Sequence, residues 1–545
     1  MIARKSLFMV ISRFAVEIIG MIGLIVIAKL WGRFAPEALG VIGFAMSFLA
    51  LFSIISKLGY PQAHIKRISE GKDLGTCIGT FITIKITLTA LMVSIIFLFL
   101  FVWQYVLNEG FYDATTESVI YVFIAYYIFS SLQGITIHTF TATREIVKKE
   151  FPLILGRIVK VSLIPLVALA GVTSFGIAPL LNWPTFLQPL QKFISDHPTG
   201  SLAMTYVFDM IIVLFFGLWL LRKYPIKKPS FKLFKSYSTF AFPLAISSVI
   251  SIISLNVDKI MIGYFWTSTE VGYYFVVQRI FEFITPLSIS VAVVLFPTIS
   301  SYHSVKKLNK IKKMTHLAER YISMIIFPPI IFTIVFSKPI INIILTEAFL
   351  PAVPILIVLS VFTLIHCLND AYISIISGLN KPGVTAKISV LMCVTNIILN
   401  IMFIPKNGIL SDFGINGPTG AAIATVISVL IGFFSLRLAA KRIANMKVLR
   451  SHIPRHIIAG IIMGGLLYII SNYMLTIRWY VLLSFAFLGL GIYLLFLFLM
   501  KEFTKKDLMF FLDLINPKKM MKYMSSELKN KNPDNFNESD DLPEL

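Results

Sequence analysis

Charge is what this chain has least of. Of its 545 residues, 14% are Asp, Glu, Lys or Arg and 57% are hydrophobic, and its mean hydropathy is +0.84. Soluble domains carry about a quarter charged residues, so a water-soluble globular protein is excluded and an integral membrane protein is implied. Cysteine is nearly absent. Cys77, Cys367 and Cys393 all lie in or beside apolar runs, which leaves no disulfide framework and no zinc-type spacing. Histidines 64, 138, 303 and 366 stand singly and read as structural. The chain also lacks a phosphate-binding glycine loop and a nucleophile elbow. No catalytic residue, metal site or cofactor is therefore expected, and the chain does not read as an enzyme. Without an ATPase module, transport would run on an ion gradient, the membrane potential or the gradient of the substrate. Acidic residues are scarce too, leaving a formal net charge of +22. In a soluble protein that would suggest nucleic acid. Here basic cytoplasmic loops account for it, and no nucleic-acid partner is expected.

What is abundant is apolar sequence in long runs. A spanning helix needs about 20 mostly apolar residues. Fourteen runs qualify, near 7–30, 38–56, 74–102, 118–140, 153–171, 205–221, 237–262, 271–296, 317–336, 352–377, 384–404, 419–439, 456–474 and 479–500. Pro165 and the pair Pro328-Pro329 interrupt the fifth and ninth. The first run follows Arg4 and Lys5, lacks a small-residue cleavage site, and reads as an uncleaved span. The basic clusters at loops after even-numbered spans hold 28 Lys and Arg residues, counting Arg157, Arg320, Lys387 and Arg437 just inside the adjoining spans; loops after odd-numbered spans hold only Arg33, Lys192, Lys338, Lys406 and Arg478. That alternation places both termini in the cytoplasm of a multi-pass cell-membrane protein. The external segment 172–204 carries Trp183, Phe186, Leu190 and Phe193, spaced for a short interfacial helix or a plain surface loop. The tail starts with Thr504 and Asp507 in a capping-box-like arrangement, continues as an amphipathic stretch, and ends in a polar segment of disordered composition.

Polar residues inside the spans fall on faces. Ser247, Ser251, Ser254 and Asp258 follow helical spacing, as do Tyr274, Gln278, Glu282 and Thr285, with Arg279 adjacent. The stripe His366, Asp370, Ser374 and Ser377 repeats the pattern, as does Ser389, Cys393, Asn396 and Asn400. Arg13 and Glu17 share a face with Gly20; Thr76, Thr80, Thr83 and Thr87 line up, with Lys85 pointing away from them. Hydroxyl stripes usually join helices. Ionisable residues at membrane depth mark pathways. The candidate pathway residues are therefore Arg13, Glu17, Lys85, Asp258, Arg279, Glu282 and Asp370. Gly460 and Gly464 form a GxxxG pair suited to helix packing.

The chain also repeats itself. "GRFAPEALGVIGFAMSFLALFSII" from Gly32 and "GYFWTSTEVGYYFVVQRIFEFITP" from Gly263 both join two spans through Glu and Gly: Glu37 with Gly40, Glu270 with Gly272. Six spans per half make the repeat parallel, with substrate expected between the halves. The partition is a first lobe at 1–222, a second at 223–440, two extra helices at 441–500, and a cytoplasmic tail at 501–545. The passage "NVDKIMIGYFWTSTEVGYY" resembles the start of the second half in polysaccharide and lipid-linked oligosaccharide flippases of the multidrug/oligosaccharidyl-lipid/polysaccharide exporter superfamily. "ISGLNKPGVTAKISVLMCVTNIILNIMFIPKNGI" with "GINGPTGAAIATVIS", and "EALGVIGFAMSFLALFSIISKLGYPQAHIKRISE", are similar to other stretches of that family. The insert between Asp412 and Gly417 and the long segment 172–204 depart from it.

The resemblance implies an all-α polytopic fold of about 14 transmembrane helices. Two pseudo-symmetric six-helix lobes would be followed by two C-terminal helices, with alternating access between them. The implied function is translocation of a polyprenyl-(pyro)phosphate-linked oligosaccharide or polysaccharide repeat unit from the cytoplasmic to the outer leaflet. Partners would be this lipid-linked glycan, membrane lipid, and glycosyltransferases or a polymerase of the same pathway. Cavity arginines of the first and eighth spans would hold the anionic head, with Arg13 and Arg279 as the matching positions. The competing reading is a cation-coupled multidrug antiporter of the same superfamily, with Glu17, Asp258, Glu282 and Asp370 as carriers of protons or sodium. A third reading, a membrane scaffold for glycosyltransferases, has no use for charges inside the spans.

Overall fold

The structure, a computed structural model, describes residues 2–509 apart from 112, 144, 176–182, 446–451, 475, 506 and most of 287–306. The side chains of 2–13, 243 and 247 also lie outside the description. Among the described residues every regular element is helical. The first half comprises α1 (Ile2–Trp31), α2 (Ala35–Lys57), α3 (Tyr60–Ser69), α4 (Leu74–Phe101), α5 (Ala114–Ala142), α6 (Ile146–Gly171), α7 (Gln188–Asp196) and α8 (Pro198–Leu221). The second comprises α9 (Phe231–Phe265), α10 (Ser268–Phe281), α11 (Leu308–Val335), α12 (Ser337–Ile344), α13 (Val353–Gly378), α14 (Pro382–Phe403) and α15 (Gly417–Ala444). The last pair is α16 (His452–Ser471) and α17 (Trp479–Leu499).

Twelve stretches of the described residues are long and apolar enough to cross a membrane. One of them, Phe14–Lys57, joins α1 from Phe14 onward to the whole of α2, so it falls on two expected spans. The expected eighth span, 271–296, falls on α10, on the turn that follows it and then mostly on residues outside the description, and the count of fourteen stays an expectation. The chain is thus a multi-pass membrane protein. Side chains close the helix starts. Asp73 accepts from Thr76 N at 2.8 Å ahead of α4, and Asp113 accepts from Thr116 N at 2.5 Å ahead of α5. Thr267 and Glu270 form a capping box at α10. Pro165 and Pro328-Pro329 do not break their helices: α6 and α11 run through them. In lipid, unwinding would expose still more backbone groups, so a proline is carried inside the helix.

The helices of the first half pack on one another, as α6 against α1 and α8, and α5 against α8; those of the second do likewise, as α13 against α11 and α15. The halves meet along α2 and α10. There the repeat-related glycines touch: a Cβ on Gly40 would lie 1.6 Å from Ser268 O, and one on Gly272 would lie 1.9 Å from Pro36 O. No side chain fits at either position.

The linker between α8 and α9 is a strap rather than a tether. Lys227 N donates to Gly75 O at 3.1 Å and Ser230 N to Thr80 Oγ1 at 3.0 Å. Lys227 Nζ reaches Asp73 at 2.8 Å and, with the Thr76 hydroxyl and amide, holds that carboxyl below the usual carboxylate range. A Cβ on Gly79 would sit 1.9 Å from Lys227 O, so the glycine cuts the groove the strap occupies. Arg67 donates to Ser236 O at 3.0 Å, and buried His64 bonds Tyr237 Oη and Thr139 Oγ1, each at 3.0 Å. The threonine stripe of α4 is therefore partly a docking surface for the chain's own linker.

A second ionic bracket lies at the other half. Arg320 on α11 donates to Glu502 at 2.8 Å and to Asp507 at 2.9 Å, Tyr321 Oη donates to Asp507 at 3.0 Å, and Arg455 on α16 pairs with Glu502 at 2.5 Å. Asp507 also accepts from Thr504 N at 2.9 Å, the capping contact expected from the sequence. Gly460 and Gly464 seat α16 on Ile331 of α11. The tail beyond 509 lies outside the described residues.

Candidate functional site

A cavity of about 120 Å3 lies between the halves. It is built from α1 (Glu17, Gly20), α2 (Leu39, Met46), α5 (Tyr126), α6 (Arg157, Lys160), α8 (Tyr206, Asp209), α10 (Phe275, Arg279) and Glu282 just beyond it. At roughly 10–15 Å3 per water by the same measure, it has room for several waters and none for a sugar. A Cβ on Gly20 would meet nothing within 4 Å, so this glycine opens the wall.

The cavity's charges are engaged with one another. Arg279 Nη1 contacts both carboxylate oxygens of Glu282, at 2.8 and 2.7 Å. Arg157 Nη1 lies 3.4 Å from Asp209, whose carboxylate is almost wholly buried. Lys160 Nζ sits 3.2 Å from the centroid of the Tyr206 ring, a cation–π contact. The Arg279 guanidinium lies 5.0 Å from the Phe275 ring centroid. Three cations and three carboxylates thus face one small space. A bound anion could recruit the cations by displacing the carboxylates, because guanidinium binds phosphate and carboxylate with the same fork of donors.

The sequence-derived candidates separate into two groups. Glu17, Arg279 and Glu282 line the cavity. The Arg13 side chain lies outside the described residues; its backbone is helical, four residues before Glu17 and on the same face. Lys85 lies apart from the cavity, inside the first half, donating to Ser56 O at 2.8 Å. Asp370 accepts from Ser288 Oγ at 2.8 Å, with His366 Nδ1 at 3.8 Å, and does not line the cavity. Asp258 is buried in the second half. It accepts from Tyr274 Oη and Asn400 Nδ2 at 2.6 Å each and from Thr425 Oγ1 at 2.9 Å. The Asn400 Oδ1 beside it is buried with no donor among the described residues. Asn396 Nδ2 lies 3.2 Å from Thr425 Oγ1, so donors from three other helices engage the Asp258 carboxylate and its neighbours. No group of three or more His, Cys, Asp or Glu residues that could hold a metal ion occurs among the described residues.

Lys160, Asp209, Tyr206 and Arg157 line the cavity without being among the sequence-derived candidates. The available signal was a single charge in each of two apolar runs, "VKVSLIPLV" and "TYVFDMIIVLFF".

Family models described as polysaccharide biosynthesis protein match residues 2–178 and 197–354. Over these two stretches the chain is similar to polysaccharide biosynthesis proteins. It is 28% identical over 219 residues to the probable flippase AglR of Haloferax volcanii, covering 40% of this chain and 44% of the relative. It is 26% identical over 268 residues to the probable low-salt glycan biosynthesis flippase Agl15 of the same organism, covering 49% and 55%. The chain therefore spans about half the length of these curated relatives. Among solved structures, the lipid II flippase MurJ in an inward closed conformation aligns with TM-score 0.66 and 17% identity, over 89% of this chain and 97% of that one. An inward-facing multidrug resistance MATE family transporter aligns with TM-score 0.59 and 13% identity, over 80% and 99%. At these identities the likeness shows the fold alone. The all-α polytopic architecture expected from the sequence is the one found.

Proposed function

We propose that this protein is a flippase that moves a polyprenyl-(pyro)phosphate-linked oligosaccharide or polysaccharide repeat unit from the cytoplasmic to the outer leaflet of the cell membrane. The observation that carries the reading is the cavity between the halves, with Arg157, Lys160 and Arg279 held against Asp209, Tyr206 and Glu282. Cations kept at membrane depth suit a phosphate that must leave water. The names of the curated relatives support the same substrate class. In this reading the lobes at 1–222 and 223–440 rock about the cavity, 441–500 accompany the second lobe, and both termini and the 501–545 tail are cytoplasmic. Arg13, Glu17, Arg279 and Glu282 contact or balance the head group; Lys85, Asp258 and Asp370 act from within the lobes. An inside-negative potential favours outward movement of an anion by roughly 2.3 kcal/mol per charge per 100 mV. Glycosyltransferases or a polymerase of the pathway would deliver and consume the substrate. The chain then acts as a carrier and not as an enzyme.

The test is direct. Deleting the gene should leave a lipid-linked glycan on the inner leaflet, and the Arg157→Ala/Arg279→Ala double variant, present at normal level, should not clear it. Normal clearance by that variant would remove the cavity-cation basis. The antiporter reading draws on Glu17, Asp258, Glu282 and Asp370, of which Glu17 and Glu282 line the cavity; drug export that survives loss of glycan export would select it.

A further inference from the structure

The short helix α7 is amphipathic the wrong way round for a helix in water. Phe186, in the turn before it, is 80% exposed, Leu190 49% and Phe193 51%. At positions 186, 190 and 193 these side chains share one face. The opposite side meets the protein: Ile194 is buried, Gln191 and Ser195 are half-buried, and Ser195 Oγ lies 2.5 Å from Thr173 Oγ1. A helix on a soluble surface turns its apolar stripe inward. This one presents it outward from polar anchor points.

We infer that membrane lipid covers this face, with α7 lying in the bilayer interface at the end of the molecule opposite the strap. Two features identify lipid as the occupant. Asp196 ends α7 only two residues before α8 starts at Pro198, and α8 presents Met204, Phe208 and Phe215 outward along its length, 40%, 50% and 61% exposed. The stripe on α7 therefore continues the apolar belt of a spanning helix. Buried insertion of such a face is how interfacial helices hold a membrane surface. The seat also has a mechanical connection. Thr173 and Ser174, which hold Ser195, belong to the turn whose Phe175 stacks on Phe34 at 4.4 Å and meets Trp31 edge-on at 5.4 Å, at the end of α1. Lipid-seated α7 thus positions the end of the helix that carries Glu17.

The full chain in phosphatidylcholine/phosphatidylglycerol nanodiscs, with Cys77, Cys367 and Cys393 replaced by Ser, provides the test. An environment-sensitive fluorophore on Phe193→Cys should be quenched about threefold more by lipid spin-labelled at acyl carbon 5 than the same fluorophore on Gln188→Cys, with the order reversed for aqueous iodide. Equal iodide quenching at both sites would place the face in water; protection of position 193 from both quenchers would mean protein covers it. Either result overturns the lipid assignment. A spin label at Arg33 should broaden in mobility in the Phe186→Ser/Phe193→Ser variant, and an unchanged spectrum would overturn the positioning of α1. None of these readouts depends on what is transported, so they stand or fall apart from the flippase reading.

Discussion

Replacing Gly40 by alanine adds a single methyl group where the halves meet, and its effect can be worked from the coordinates. The new Cβ would lie 1.6 Å from the Ser268 carbonyl oxygen and 2.8 Å from Gly272 N. Both are backbone atoms, so no side chain can swing aside. Ordinary contact begins at 3.4 Å, which asks the two helices to part by about 1.8 Å, the difference between 3.4 and 1.6 Å. Packed interfaces yield to such an insertion at a cost of about 1–3 kcal/mol, and 1–3 kcal/mol corresponds to roughly a 5–150-fold shift in a two-state equilibrium. The state with α2 against α10 should lose population by that factor. Spin labels at Arg33 and Tyr264, both exposed near these helix ends, read the separation by pulsed dipolar spectroscopy. Gly40→Ala should transfer a measurable fraction to longer distances, and Gly272→Ala, whose Cβ meets Pro36 O at 1.9 Å, should do the same. Gly465→Ala is the control, because a Cβ there meets nothing within 4 Å. An unchanged distance distribution in the Gly40→Ala/Gly272→Ala double variant would refute the idea that this glycine contact sets the closed arrangement.

Other consequences are as open to measurement. Asp209→Asn should reduce transport, because Arg157 loses the carboxylate that lies 3.4 Å from its Nη1; transport at the normal rate in reconstituted vesicles would remove Asp209 from the site. Burial, aided by neighbouring His138, pushes the His64 imidazole down to about 3, against 6.5 for the free group. The unfolded chain therefore binds the proton more readily between those values, and stability should fall as pH drops from 6.5 towards 3, by about 1.4 kcal/mol per unit. His64→Gln should flatten that part of a pH series of thermal midpoints, and a series with the same slope would contradict it. Asp113→Ala, which removes the N-cap of α5, should cost about 1 kcal/mol in unfolding experiments. A thiol reagent confined to the outside should label Glu109→Cys but not Lys310→Cys; the opposite pattern would invert the topology.

How far the sequence could be read depended on what each signal measures. Apolar run length is set by bilayer thickness, so the spans were legible even through Pro165 and Pro328-Pro329. Helical spacing located Glu17 and Glu282, with Arg279 beside the stripe, and all three face the cavity. The same spacing put Asp258 on a polar face correctly, yet that face looks into a bonded network with Asn400, Thr425 and Tyr274. Periodicity reports which side of a helix is polar; it does not report what stands opposite. Lys160 and Asp209 belong to no stripe, and each is matched from another helix, by a ring or an arginine, so only three-dimensional proximity reveals them. The repeat at Gly40 and Gly272 was visible as a pattern, but that the two glycines touch depends on how the halves dock.

The strap has a consequence for any motion the molecule makes. Because residues 227–241 are fastened to α3 and α4 while Asp258, near the far end of α9, is bonded into α14 and α15, one helix has each end mortgaged to a different body. Nicking the polypeptide between Arg222 and Pro229 would sever a covalent link without setting either piece adrift. Whatever bending accompanies a working stroke must then be absorbed along α9 between Ala241 and Asp258, and stiffening that stretch should seize the machine while leaving both of its anchorages sound.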